Sequence, residues 1–241
     1  MKIYLPEKVK YIINKIYENN YEAYIVGGCV RDVLLGLEPN DYDITTSATP
    51  KVILDIFKDF KCIKTGIVHG TVSVIIDGDI YEITTYRIEG EYKDHRRPDV
   101  VDFTNKLEED LKRRDFTINA MAYNEKVGLV DLFKGREDLN KKLIKTVGNP
   151  YDRFNEDGLR MIRAIRFSSK LDFTIEKETL LAIYDNAKIP CHQAFEPVAE
   201  DFYKAYISIV TIFYYLFLFW FHRYYHIACS SRASIFSCCC S

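Results

Sequence analysis

No surplus of either charge marks this sequence. Lys and Arg number 33 against 35 Asp and Glu, a formal net charge of -2 over 241 residues, which excludes a protein that holds a polyanion through its overall charge. The N-terminus, MKIYLPEKVKYIIN, lacks the apolar run of a secretory signal and carries charges and a proline instead. The seven cysteines are an odd number, and Cys29, Cys62 and Cys191 stand alone; this usage argues against a disulfide scaffold and predicts a cytoplasmic protein. Cys238, Cys239 and Cys240 have no His or second Cys pair at zinc spacing, so no metal is expected there. Repeats and low-complexity linkers are missing too.

What is present is an ordinary globular composition, 48% apolar and 28% charged, sufficient for one large or two small domains. Charge is placed unevenly: Lys106 to Lys170 holds 15 Lys and Arg against 11 Asp and Glu. A polyanion site is therefore expected in the middle third, with a solvated helix face as the plain alternative.

Along the chain, PEKVKYIINKIYENN places Val9, Ile12, Ile13 and Ile16 at helical spacing behind Pro6. AYIVGG reads as a strand and VRDVLLG as a helix, which puts Gly27 and Gly28 at a strand-to-helix turn. DYDIT reads as a strand, and TPKVILDIFKDF as a helix capped by Thr49 with Pro50 at its first position. TVSVII and DIYEITTY read as a hairpin turned at Asp77-Gly78. This order predicts an α+β sheet domain over residues 1–123. A connector over 124–148 leads to a helical region over 149–204, in which YDRFNEDGLRMIRAIRFSSKL reads as one long helix with Met161, Ile162 and Ile165 as its apolar stripe. ETLLAIYDNA is a second amphipathic helix. Residues 205–241 differ from everything upstream. Ala205 to Phe221 is 17 residues without a charge, just short of the roughly 20 that a spanning helix needs. A shifted reading frame or truncation is the preferred expectation, and a membrane anchor the alternative.

Asp41 and Asp43 alternate along the expected strand, so both carboxylates face one side with Cα atoms roughly 6 to 7 Å apart. Carboxylates that close repel unless a cation lies between them. Hard oxygens suit Mg²⁺, which keeps waters and takes further ligands from substrate phosphates, although a lone DxD is also a common surface turn. Gly27 and Gly28 free backbone N-H groups to approach an anion at a helix mouth, and Arg31 can fork onto phosphate oxygens. The plain alternative is a structural glycine turn, since the spacing matches neither the P-loop nor GxGxxG.

VGGCVRDVLLGLEPNDYDITTSATP, RRPDVVDF, DLKRRDFTINAMA, DLFKGREDL and EDGLRMIRAIRF, in that order, closely resemble the signatures of bacterial-type (class II) CCA-adding tRNA nucleotidyltransferases and their poly(A) polymerase relatives, over about Ile13 to Ile189. The resemblance implies a polymerase-β-like nucleotidyltransferase head followed by a helical neck. It implies Asp41 and Asp43 as catalytic ligands of Mg²⁺ and Gly28, Arg31 and Arg114 as nucleotide contacts. The implied reaction is in-line displacement at the α-phosphorus, adding C and A from CTP and ATP to a tRNA 3′ end. Glu82 and Asp110 are candidates for a third carboxylate. Phe116, Ile118 and Met121 fit a helix packed in the head, and GEYKDHRRPDVVDF corresponds to a flexible loop.

Base choice is expected from EDGLRMIRAIRF, where Asp157, Arg160, Arg163 and Arg166 recur every three residues as a slanted polar ridge opposite the apolar stripe. The plain reading is a solvent-facing helix with one ion pair; by the resemblance all four contact nucleotide. Cytosine and adenine each present an exocyclic amino donor beside a ring-nitrogen acceptor, whereas uracil and guanine present the reverse. Asp157 accepting from the amino group and Arg160 donating to the ring nitrogen would favour C and A, with roughly 1 to 3 kcal/mol for a good bidentate pair. Family members continue through helical domains that grip the tRNA. Here EPVAEDFYKAY resembles the next motif but carries Pro197, and proline costs about 3 kcal/mol in a helix interior. Three functions stand in competition: a tRNA nucleotidyltransferase, favoured by the Asp41, Asp43, Asp157 and Arg160 set; a poly(A) polymerase; and an inactive nucleotide- or RNA-binding fragment. No protein partner is evident, and membrane contact would come from the tail.

Overall fold

Apolar residues at helical and alternating spacing sort this chain into a mixed sheet flanked by helices. The structure, a computed structural model, describes residues 3–89 and 101–186; the tail over 205–241, the motif at Glu196 to Tyr206 and most of the loop over 90–103 lie outside them. Helix α1 (Glu7–Glu18) buries Val9, Ile12, Ile13 and Ile16, each contributing about 1.5 to 3 kcal/mol. Strand β1 (Ala23–Val26) runs into the glycine turn and α2 (Gly28–Leu34). Then come β2 (Ile44–Thr46), α3 (Pro50–Ile56) and β3 (Lys61–Ile63). The hairpin of β4 (Thr71–Ile76) and β5 (Asp79–Thr85) turns at Asp77 and Gly78, with φ of 49° and 86°, the paired positive φ of a type I′ turn. A small arm of β6 (Arg87–Glu89) and β7 (Val101–Phe103) precedes α4 (Leu107–Lys112). After it follow β8 (Ala122–Asn124), β9 (Gly128–Val130), α5 (Gly135–Asn140), β10 (Leu143–Ile144), α6 (Pro150–Glu156), α7 (Leu159–Leu171), β11 (Thr174–Ile175) and α8 (Lys177–Asn186).

The main sheet has the order β3-β4-β5-β2-β1-β8-β9, antiparallel throughout except that β2 and β5 run parallel. Alternation splits its faces. Ile44, Val72, Val74, Ile76 and Ile83 point into the core with α1 and α3, while Thr45, Thr71, Ser73, Glu82 and Thr84 alternate onto the opposite face. That second face is apolar only where Tyr24, Val26, Tyr86, Leu111 and Ala122 cluster near α4. The remainder is polar and positions the site.

Three expectations are corrected. The long helix breaks: α6 ends at Glu156, Asp157 is extended (φ -142°, ψ 104°), and α7 restarts at Leu159. An aspartate whose side chain caps backbone N-H groups, followed by a glycine, disfavours a helix interior. The face that α7 buries is Arg160, Met161 and Ala164, whereas Ile165 is 45% exposed, so Arg160 lies on the packed side and not on an outward ridge. Phe116, Ile118 and Met121 are buried as expected, but only Ile118 is helical, in a single 3-10 turn over Thr117–Asn119 that Phe116 precedes and Met121 follows on the way into β8, where strand pairing outcompetes helical propensity.

Candidate active site

Asp43 extends the β1-β2 ladder by one step, its carbonyl accepting from the Val26 N-H at 3.0 Å, and Asp41 lies two residues ahead, before the strand begins at Ile44. Both are exposed. By alternation Asp43 shares the polar face with Thr45, and the Ile44-Ile83 register places Glu82 beside Asp43 on the neighbouring strand. Partial enclosure pushes the Asp43 carboxyl above its ordinary value; the Arg114 charge opposes this and Asp41 adds to it. Among the described residues no Lys or Arg forms an ion pair with either aspartate. An unneutralised pair of hard oxygens fits a divalent cation, although no cluster of three or more His, Cys, Asp or Glu with metal-binding geometry occurs among the described residues. Beneath the pair, burial and Asp43 push the Cys29 thiol up to about 11, so it stays protonated.

Gly27 holds φ at 81°, and a Cβ there would meet Arg114 Nη1 at 3.0 Å. This turn therefore needs glycine on both counts. Gly28 lies over Arg31, with its Cβ position 3.6 Å from Arg31 Nη2. Arg31 is only 5% exposed. Its Nε and Nη2 donate to Asp32 at 2.8 and 2.7 Å and its Nη1 to Asn119 Oδ1 at 2.7 Å, while the guanidinium rests 5.1 Å from the Phe167 ring centroid. Three of its donor contacts are thus internal, which leaves less than a full fork for a phosphate.

Arg114 reaches the same turn from just beyond the end of α4. Its Nη2 donates to Asp110 at 3.2 Å, and its charge acts on Asp43. The helical region grips the segment just after α4: Arg153 donates to the carbonyls of Arg113 and Arg114, the second at 2.9 Å, and Arg160 donates to the Arg113 carbonyl at 3.3 Å. Arg160 also pairs with Glu156 at 2.7 Å and lies 4.0 Å from Asp157. Asp157 in turn caps α7 by accepting from the Leu159 N-H at 2.9 Å. Asp157 and Arg160 are thus brought together across a helix break, and Arg160 is tied to the segment that carries Arg114.

Asp115 completes this link. It accepts from the Phe116 N-H at 2.8 Å, from Asn119 at 3.2 Å, and from Arg163 Nε and Nη2 at 2.8 and 2.7 Å. Burial pushes its carboxyl up, but Arg163, Asn119 and the Phe116 N-H outweigh burial and hold it below the usual range. Phe167 packs 5.3 Å from Arg163 and edge-on to Phe116 at 5.8 Å. A continuous chain, Arg31-Asn119-Asp115-Arg163, therefore joins the glycine turn to α7. Arg166 is exposed. Sequence reasoning passed over Asp115, Asn119, Arg153 and Phe167. The available signal was the i,i+4 spacing of Asp115 and Asn119 inside DLKRRDFTINAMA.

In sequence and overall fold the chain is similar to known proteins. A family model described as the Poly A polymerase head domain matches residues 23–145. The CCA-adding enzyme of Oceanobacillus iheyensis is 51% identical over 197 residues, 82% of this chain and 49% of the relative. The structure of the Bacillus stearothermophilus CCA-adding enzyme in complex with CTP superposes with a TM-score of 0.69 at 45% identity, covering 75% of this chain and 43% of that one. That of the Thermotoga maritima CCA-adding enzyme complexed with tRNA gives 0.61 at 30% identity, covering 74% and 42%. The chain spans about half the length of the curated relatives it matches. From the mixed sheet, the glycine turn and these matches together, it follows that this chain belongs to the family of CCA-adding enzymes and poly(A) polymerases and carries its nucleotidyltransferase head.

Proposed function

We propose that this chain adds C and A nucleotides, from CTP and ATP, to a tRNA 3′ end. The observation that carries the proposal is the physical connection of two sites: exposed Asp41 and Asp43, without an ion-pair partner among the described residues, beside the Gly27-Gly28 turn and Arg114, and the Asp157-Arg160 pair tied to the Arg113-Arg114 backbone. Relatives solved with CTP and with tRNA support the choice of substrates. The lone, free Cys29 and Cys62 fit the cytoplasm, and no helix among the described residues is long and apolar enough to cross a membrane.

In this reading Asp41 and Asp43 hold Mg²⁺, whose hard-oxygen preference and affinity for phosphate suit the pair. Such a cation, when bound, lowers the proton affinity of the RNA 3′-hydroxyl and screens the triphosphate and the leaving pyrophosphate. The glycine turn admits the triphosphate close to the backbone, with Arg114 supplying positive charge beside it and Arg31 lying beneath Gly28. In this reading Asp157 accepts from the exocyclic amino group, and Arg160, drawn off its contact with Glu156 by the incoming base, donates to the ring nitrogen of C or A; the amino and ring-nitrogen pattern of U and G mismatches both. Arg163 and Arg166 extend the nucleotide-binding surface along α7. The test is incubation of the purified protein with Mg²⁺, a tRNA lacking its 3′ end, and each labelled NTP in turn. Incorporation of C and then A is the expected result. Transfer of A alone onto any RNA indicates poly(A) synthesis, and no transfer by folded protein refutes the catalytic assignment.

A further inference from the structure

Asp110 was a candidate for a third metal-holding carboxylate, and its surroundings point elsewhere. It is fully buried. Its Oδ1 accepts from Arg113 Nε and Nη2 at 2.9 and 2.8 Å and from the Arg87 N-H at 3.4 Å. Its Oδ2 accepts from Arg114 Nη2 at 3.2 Å and lies 3.3 Å from the Thr45 hydroxyl, whose single proton it shares with the Thr84 carbonyl at the same distance. Burial pushes the carboxyl up, but the two arginines outweigh it and hold the group below its ordinary range. A carboxylate offers about four lone-pair positions, and four N-H donors already occupy them, three of them from the guanidiniums of Arg113 and Arg114. No position remains for a metal ion.

The arginine that Asp110 holds shows what the arrangement does. Arg114 has one nitrogen, Nη2, on Asp110, while Nη1 reaches the Gly27 turn. Its Nε is buried without a hydrogen-bond partner, so among the described residues Asp110 is the group that orients the guanidinium. Thr45, the other side chain on Oδ2, lies two residues from Asp43 on the same strand. One buried carboxylate thereby fixes the spacing between the aspartate strand and the arginine beside the glycine turn.

We propose that Asp110 is a positioning residue that aims Arg114 at the triphosphate of the bound nucleotide and is not a metal ligand; this rests on the nucleotidyltransferase reading above. The test is equilibrium titration of the full chain with CTP and with ATP over a series of Mg²⁺ concentrations, for wild type, Asp110→Asn, Arg114→Gln and the double variant. Asp110→Asn weakens both nucleotides about tenfold, the scale of one charge-assisted hydrogen bond, and leaves the Mg²⁺ concentration for half-saturation unchanged. The double variant binds no more weakly than Arg114→Gln alone, because the carboxylate acts through that arginine. A raised Mg²⁺ requirement, unchanged nucleotide affinity or additive losses overturn the proposal. Should Asp110→Asn fail to fold, Arg114→Lys keeps the charge and leaves the buried carboxylate paired with Arg113. It is expected to lose about tenfold in affinity because an ammonium cannot reach both Asp110 and the turn, and undiminished affinity overturns the proposal equally. A wild-type chain that binds neither nucleotide overturns the functional reading, and the positioning role with it.

Discussion

Replacing Arg163 with methionine tests the link between the sheet and α7. Arg163 is half exposed while the Asp115 side chain is only 10% exposed, so the two partners of this ion pair are not equivalent. Asp115→Asn removes the buried charge, and Arg163 turns to water at a cost of about 1 kcal/mol. Arg163→Met instead strands the carboxylate. It loses two charge-assisted bonds, at 2.8 and 2.7 Å, and keeps the Phe116 N-H and Asn119. Breaking a fully buried pair costs 3 to 5 kcal/mol; discounted for the exposure of Arg163 and the two remaining donors, about 2 kcal/mol is expected at pH 8. The pH dependence has a definite sign. In the wild type the carboxyl is held low, so its stabilisation is complete above the unfolded carboxylate pKa and fades as pH falls through the lowered folded value. In Arg163→Met the burial that opposed the arginine dominates, the folded pKa rises, and the penalty shrinks as protonation begins. The assay is urea unfolding of all three proteins at pH 8 and pH 4.5. A deficit for Arg163→Met that stays constant between the two, or does not exceed that of Asp115→Asn, refutes the reasoning.

Further substitutions separate chemistry from folding. Asp41→Asn and Asp43→Asn are each expected to lower nucleotide incorporation by about 10³-fold or more, the scale of lost transition-state charge stabilisation, while thermal unfolding changes little because both side chains are exposed. Gly135→Ala places a Cβ 2.1 Å from the Thr117 carbonyl oxygen; a backbone clash of that kind costs about 2 kcal/mol or more, to be read as a fall in midpoint on denaturant unfolding. Asp157→Ala is expected to lose discrimination of C and A from U and G while retaining metal binding, as measured by competition between labelled NTPs; unchanged preference would remove the template assignment.

Much of the fold was legible because local chemistry and global structure agree. The stripe Val9, Ile12, Ile13 and Ile16 became the buried face of α1, and Asp77-Gly78 made the turn its φ freedom suits. Pro50 opens α3 as read, although the Thr49 side chain makes no capping hydrogen bond. Misreadings occurred where tertiary pairing overrode periodicity. Met161, Ile162 and Ile165 look like a core stripe, yet Ile165 is exposed while Arg160 lies on the buried face, where carbonyl oxygens and Glu156 accept from its guanidinium. The helix expected to carry Phe116, Ile118 and Met121 gave way to a 3-10 turn over Thr117–Asn119 because β8 pairs with both β1 and β9.

For the site, side-chain chemistry and short spacing led to the Gly27 turn, which the fold contains, and to two expectations that the assays above test: Asp41 and Asp43 as a cation-seeking pair and Asp157 with Arg160 as a donor-acceptor edge. Tertiary structure alone decided which charges stay open and which are already neutralised. Asp110 and Asp43 are both aspartates in charged surroundings, but the folded chain surrounds the first with two guanidiniums, a hydroxyl and an N-H and leaves the second exposed. The difference arises from contacts between residues dozens of positions apart, Thr45 with Asp110 and Arg31 with Asn119, which no local pattern encodes because electrostatic partners are set by distance in space and not along the chain.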